Sequence, residues 1–341
     1  MGGRKRASPG FSGGVRRPRP SPHATIPLCR RAVTAIFLIT LAIPFFLIPT
    51  GPSGAEEPEK HPVAVFVSQD IRPYIAALEG LAGVLDADPN VFLDTFHLEK
   101  LSADEQKALV DRLSRKEYRV YVAIGPLAVR FLWDDLRPET GTRLYSMVLN
   151  PEKMVPPGDG ACGVSLNLLV TEQLRTIRSV LPGVEKIGLL YDPENNGDFY
   201  EETKAWDDPG LSVVPVPVSS RKDIPAVLKD HWGKIDALWL IPDRTVTTES
   251  LIRYILREAI YNRVPGIGYN RFFYESGAVL SFIFDYREIG GQCGEEVLRV
   301  LAGGPCDRRS PLYRLWLNEK VAKSMAVSLS PLSDIPVEVG P

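Results

Sequence analysis

Seven residues carry the best case for chemistry in this 341-residue chain: Ser68, Gln69, Gly125, Asp192, Asp243, Thr245 and Tyr269. Each stands at the end of a short apolar run. Ser68-Gln69-Asp70 follows PVAVFV (Pro62–Val67), and Gly125-Pro126-Leu127 closes RVYVAIG (Arg119–Gly125). Asp192, with Asn195 and Asn196 just beyond, closes KIGLLYD (Lys186–Asp192). Asp243-Arg244-Thr245 follows Pro242 in IDALWLIPDRTV (Ile235–Val246), and Tyr269-Asn270-Arg271 follows VPGIG. Runs this apolar suit strands buried on both faces of a parallel sheet. Ligands of open α/β sheets bind outside the carboxyl ends of such strands. Asp243 suits an ammonium group. A helix starting beside Gly125 offers N–H groups to a carboxylate. Tyr191, Tyr269 and Phe272 suit an apolar ligand body. The same residues also suit plainer work: Asp243 and Thr245 as turn or cap residues, Asn195-Asn196-Gly197 as a turn, Tyr269 as a core aromatic. The case for a site rests on their convergence, and Asp243→Ala is expected to weaken binding with little loss of stability.

Catalytic patterns are not found. The chain has no phosphate-binding Gly-x-x-x-x-Gly-Lys-Ser/Thr loop, no Gly-x-Ser-x-Gly elbow and no His-Glu-x-x-His helix. His61, His97 and His231 are isolated, and neither a metal nor a cofactor is expected. Acid pairs such as Asp134-Asp135 and Glu201-Glu202 are neighbours in sequence, which point about 100° apart on a helix. Gly266-Ile267-Gly268 lacks the third glycine of a dinucleotide fingerprint, since Arg271 stands there.

The elements that position the strand ends alternate. Strands over Pro62–Val67, Val91–Phe96, Arg119–Gly125 and Leu144–Leu149 are separated by helices. The first helix has apolar residues at Ile71, Tyr74, Ile75, Leu78, Leu81, Ala82 and Leu85; the second has a Ser102/Glu105 capping box; the third starts at Pro126. Asn150–Gly163, rich in Pro and Gly, reads as a loop crossing between lobes. A second block follows: helix Leu168–Leu181, strand Lys186–Asp192, turn 193–197, helix Asp198–Ala205, strand Ser212–Val218, helix Asp223–Trp232, the strand from Ile235, helix Glu249–Asn262 and strand Val264–Tyr269. Strand Gly277–Tyr286, a helix to Leu301, strand Leu312–Leu317 and a helix from Asn318 complete the fold. The Pro-rich tail from Ser328 is expected to wind over the surface. Such alternation means α/β lobes, each a parallel sheet flanked by helices.

The overall charge of −2 is uneven. Residues 1–55 hold eight Lys or Arg and no acid, leaving 32 basic against 42 acidic residues in the remainder. An acidic body excludes nucleic acid and anionic membrane surfaces as expected partners. The basic segment, the apolar run Ala32–Pro49 and the small residues Ser53 and Ala55 form a secretory signal with cleavage expected after Ala55; an uncleaved anchor is the alternative. Export leaves Cys162, Cys293 and Cys306, which contain no Cys-x-x-Cys and are expected as free, partly buried thiols.

The residues from about Val63 to Met325 resemble the periplasmic substrate-binding proteins of ABC importers, type I fold. The likeness is to the branch that includes tryptophan, phenylalanine and tyrosine binders. It is carried by GVSLNLLVTEQLRTIRSVLPGVEKIGLLYDPENN (Gly163–Asn196), ALWLIPDRTV (Ala237–Val246), VPGIGYNRFFYESGAVLSFIFDYREIGGQCGEEVLRVLAGG (Val264–Gly304) and LWLNEKVAKSM (Leu315–Met325). The resemblance implies two lobes, 56–155 plus 285–310 and 156–284 plus 311–327, joined by three crossings, with 328–341 as tail. It also implies that Ser68-Gln69, the Gly125 turn, Asp192, Asp243 and Tyr269 face the cleft. Two places depart from the family pattern. Gly125-Pro126-Leu127 stands where Gly-Ser or Gly-Thr is common, and Gly160-Ala161-Cys162-Gly163 where Gly-Asn-hydrophobic-Thr-Gly is common. The expected protein is an exported, soluble, monomeric solute-binding protein without catalytic activity. It would lie in the periplasm, take a small polar organic ligand such as an amino acid or related acid, and deliver it to an ABC permease of the inner membrane. A periplasmic sensor or adaptor of the same fold is the alternative, and an enzyme on a doubly wound fold a further one.

Overall fold

The computed structural model describes residues 61–156, 158, 161–330 and 337–339. The expected leader, residues 1–55, lies outside them. Among the described residues no helix is long and apolar enough to cross a membrane.

The first block runs β1 (His61–Val67), α1 (Arg72–Leu85), β2 (Val91–His97), α2 (Ala103–Leu113), β3 (Val120–Ile124), α3 (Pro126–Arg130), β4 (Thr142–Ser146) and β5 (Cys162–Val164). The second runs α4 (Val170–Val180), β6 (Lys186–Tyr191), α5 (Pro193–Thr203), β7 (Ser212–Pro217), α6 (Ile224–His231), β8 (Ala237–Leu240), α7 (Glu249–Tyr261), β9 (Gly266–Gly268), α8 (Arg271–Glu275) and β10 (Leu280–Phe284). Then come α9 (Tyr286–Leu301), β11 (Arg308–Arg309), β12 (Tyr313–Leu317), α10 (Glu319–Ser324) and β13 (Val337–Val339). One sheet has the order β11-β5-β4-β3-β1-β2 and is parallel throughout. The other has the order β13-β12-β10-β9-β8-β6-β7, with β10 and β12 antiparallel. Helices cover both faces of each sheet, so β1, β3, β6 and β8 are buried almost end to end, as unbroken apolar runs require.

The chain passes from the first sheet to the second after β5, returns at Asp285 through α9, and crosses again between β11 and β12. Helix α9 packs on α1 beneath the first sheet. A Cβ on Gly80 would lie 1.9 Å from the carbonyl oxygen of Arg287, and one on Gly290 would lie 1.9 Å from that of Ala77. Glycine at both positions is what lets the two backbones approach.

Five expectations change. The Asn150–Gly163 segment is not all loop: Cys162–Val164 pairs with β4 and β11 as a strand of the first sheet. The crossing therefore begins past 164, not at 156. The fourth strand stops at Ser146 because Met147 turns left-handed, as does Asn150, with φ of 59° and 50°. The helix after β6 starts at Pro193, without the intervening turn. Asp192 caps it by accepting from the Glu194 N–H at 3.0 Å, Pro193 fits the first helical position, and the helix kinks at Asn196. The tail is partly structural: Val337–Val339 adds a strand beside β12, and the Ser330 N–H donates to the Val180 carbonyl at 2.9 Å. Finally, Cys162 and Cys306 form a disulfide; among the described residues Cys293 is the free cysteine, and burial pushes its thiol up to about 12. Residues 144 apart are brought together by the β5–β11 pairing, which sequence spacing does not reveal.

Candidate ligand-binding cleft

The strand ends of the two sheets face a shared cavity of about 240 Å³. Leu149, Asn150, Glu152 and Lys153 reach it from the segment after β4, and Leu166, Asn167 and Leu168 from the crossing. Val170 and Gln173 come from α4, and Asn196, Asp198, Phe199 and Glu202 from α5. Ile241, Pro242, Tyr269, Phe282 and Phe284 complete the wall from the ends of β8, β9 and β10. Aromatic and aliphatic faces with a few polar groups are the usual makeup of a small-molecule site.

Of the seven expected residues, Tyr269 alone lines this cavity. Its hydroxyl lies 3.2 Å from Thr247 Oγ1 and its ring centroid 4.4 Å from that of Phe273. Burial, then the Asp243 and Tyr286 side chains, push the phenol up, against the opposing pull of the Thr247 hydrogen bond. Asp192, Asp243 and Thr245 meet one another instead. The Asp243 carboxylate is 2% exposed. Its Oδ1 accepts from the Thr245 N–H at 2.8 Å, and its Oδ2 from the Asp192 N–H at 2.8 Å and Asn196 Nδ2 at 2.7 Å. Asp192 Oδ2 accepts from Thr245 Oγ1 at 2.6 Å and Asn195 Nδ2 at 2.9 Å. This lattice ties the end of β6 to the end of β8 and leaves Asp243 no capacity for an ammonium. The expectation that Asp243 has little structural weight is therefore corrected: it is buried and held by the turns it holds, and it does not line the cavity.

On the other lobe, Ser68 is buried and its Oγ accepts from the Ala128 N–H at 2.8 Å, capping the start of α3 from β1. Gly125 has φ 87°, and a Cβ there would lie 2.8 Å from both Ser68 Oγ and the Tyr74 ring. The turn is thus roofed by Tyr74. With no N–H on Pro126 and that of Ala128 engaged, the expected carboxylate cradle is largely consumed. Gln69 is exposed and does not line the cavity. Asn270 caps α8, accepting from the Phe273 N–H at 3.2 Å. Tyr191 stacks on Tyr200.

The polar groups on the wall are others. Gln173 is 8% exposed; its Nε2 donates to the Leu168 carbonyl at 3.0 Å, and its Oε1 accepts no hydrogen bond from the described residues. Asn167 Nδ2 donates to Asn150 Oδ1 at 2.5 Å, and the Asn150 N–H donates to Asn167 Oδ1 at 2.8 Å. The amide Nδ2 of Asn150 has no partner among the described residues. Lys153 and Asp198 form an ion pair of 2.9 Å across the lobes. Nearby Glu202 has its carboxyl pushed up by partial burial and by the carboxylates of Glu152 and Asp198, while Lys153 acts in the opposite sense. Gln173 was detectable in sequence: it sits in the apolar stripe Val170, Leu174, Ile177, where a polar side chain needs a reason. Asn150, Lys153, Phe199, Phe282 and Phe284 gave no comparable signal. Among the described residues no group of His, Cys, Asp and Glu could hold a metal ion.

The family model of ABC transporter substrate binding proteins matches residues 97–330. The chain belongs to that family. A tyrosine-binding protein of Clostridioides difficile (strain R20291) is 25% identical over 150 residues, a match covering 43% of this chain and 43% of that protein's length. Among solved structures, a ligand-free, open substrate-binding protein with adhesive properties from Clostridium difficile superposes with a TM-score of 0.65 at 16% identity, over 82% of this chain and 99% of that one. An ABC domain in complex with L-Trp from Streptococcus pneumonia gives 0.53 at 18% identity, over 82% and 100%. These likenesses establish a two-lobe binding-protein fold, and the family and fold are those of substrate-binding proteins rather than enzymes.

Proposed function

We propose that this substrate-binding protein is the exported, solute-capturing component of an ABC importer, and that its ligand is a small organic molecule of amino-acid size with an apolar body and a polar head. One observation carries this reading. The interlobe cavity pairs a wall of Phe199, Tyr269, Phe282 and Phe284 with two amide groups that have no protein partner among the described residues, Oε1 of the buried Gln173 and Nδ2 of the half-buried Asn150. Buried polar groups are normally satisfied within the protein; open ones in a cleft suit a ligand. The tyrosine-binding relative supports the amino-acid scale of the ligand. The Cys162–Cys306 disulfide supports a periplasmic location, because such bonds persist in oxidising compartments. The leader features of residues 1–55 point the same way. Closure of the lobes on the ligand would select the loaded state.

Mass spectrometry of whatever co-purifies with the native protein tests the ligand, and a thermal-shift series with the compound identified tests the site. Bound ligand raises the melting temperature by mass action. Co-purification of a permease from detergent-solubilised inner membranes tests the importer. Turnover of the compound, or no bound compound together with no thermal shift from any amino acid or related amine, would overturn the reading.

A further inference from the structure

The charge on the cavity wall narrows the ligand further. Three carboxylates, Glu152, Asp198 and Glu202, stand on it, against one cation among the described residues, Lys153. Lys153 is already paired with Asp198 at 2.9 Å. Glu152 belongs to one lobe and Asp198 and Glu202 to the other, all three at the exposed edge of the cavity; a closing of the lobes would bring these like charges nearer, with Lys153 as the one cation among the described residues beside them. No side chain caps the amino end of α4, which opens on the same cavity. Its dipole contributes about half a positive charge, which leaves the wall negative. The second observation is independent of these carboxylates. Gln173 is 8% exposed and lines the cavity, its Nε2 is engaged by the Leu168 carbonyl, and its Oε1 accepts no hydrogen bond from the described residues; such an oxygen accepts from N–H donors and repels carboxylates.

We propose that the cleft selects a ligand of net positive charge, a primary amine on an apolar, aromatic-sized body with no free carboxylate. This rests on the solute-binding reading and specifies its substrate class. The ammonium sits between the carboxylates of the two lobes, relieving their repulsion as they close, and donates to Gln173 Oε1. The apolar body lies against Phe199, Phe282 and Tyr269. Glu202 is pushed up by partial burial and then by its acidic neighbours, with Lys153 opposing them, which fits a wall with more carboxylates than cations.

Three probes of one shape and different charge decide the matter by titration calorimetry on the purified, dialysed protein: L-phenylalanine amide, L-phenylalanine and 3-phenylpropionate. The amide is expected to bind at least tenfold tighter than phenylalanine, with its affinity falling as salt is raised, and 3-phenylpropionate is expected not to bind. Glu202→Gln should weaken the amide several-fold and phenylalanine less. Lys153→Gln should strengthen the amide by removing a competing cation. If Lys153 served only to hold the lobes together, that variant would weaken every probe alike, which would overturn the proposal. So would phenylalanine binding as tightly as the amide, any binding of 3-phenylpropionate, or binding of none of the three. Phenylalanine binding without preference for the amide removes the charge selectivity and leaves the solute-binding reading intact. That reading stands or falls on the co-purified compound.

Discussion

Asp243 and Gln173 are both buried polar residues beside the cleft, and they differ in what their surroundings leave undone. Around Asp243 each polar atom finds another within the protein: backbone N–H groups of Asp192 and Thr245, the amide of Asn196, and a second carboxylate whose oxygens take Thr245 Oγ1 and Asn195. Around Gln173 one oxygen is left over. The first arrangement is a joint between β6 and β8, and the second is an invitation. Buried polar residues beside the cleft thus differ in kind: Asp243 joins two strand ends, whereas Gln173, on α4, keeps one oxygen without a protein partner among the described residues.

The largest expected effect breaks the joint. Asp243→Ala leaves two N–H groups and an amide without their charged acceptor, and should destabilise the protein by about 3 kcal/mol, measured by urea unfolding. Unchanged stability with lost ligand affinity would return Asp243 to the binding surface. Gln173→Leu tests the other side: stability should move by no more than about 1 kcal/mol, while affinity for the co-purified ligand falls about tenfold, roughly one charge-assisted hydrogen bond. Equal affinities for variant and parent would dissolve the comparison. Thr245→Val removes one hydroxyl donor to Asp192 and should cost about 1 kcal/mol of stability with affinity unaltered.

The smallest effect is in pH. Glu202 is held above the ordinary carboxylate range by partial burial, with Glu152 and Asp198 adding to this and Lys153 opposing it. A carboxyl raised in the folded state favours folding while protonated, and that contribution is lost as pH rises through the raised value. Ligand affinity runs the other way for a cationic ligand: it falls as the pH drops and Glu202 takes up its proton. A titration series between pH 7 and pH 4.5 should show this decline, and Glu202→Gln should flatten it.

Strands and helices were legible because unbroken apolar runs and helical stripes are local signals. That a candidate cleft would lie at the strand ends was legible as an expectation, since a parallel sheet puts those ends on one side. Which side chains turn inward was not. Asp192 and Asp243 engage each other across 51 residues, and no local pattern announces that. Asn195-Asn196-Gly197 looked like a turn because Asn and Gly favour turns; the Asp192 cap and Pro193 outweighed them and started α5 early. Cys162 and Cys306 looked unpaired because each lies outside any recognisable spacing, and connectivity cannot be deduced from spacing alone.

The Cys162–Cys306 bond also bears on motion. It staples β5 to the segment leading into β11, and two of the three chain crossings leave the first lobe within a few residues of that staple. Two straps fastened at one point cannot slide past each other. With the third crossing at Asp285 they would serve as a pivot for the proposed closing, which such a staple restricts to rotation. Asn150 and Gln173 lie on opposite sides of that staple, so a closing of the kind proposed would bring them together in one register.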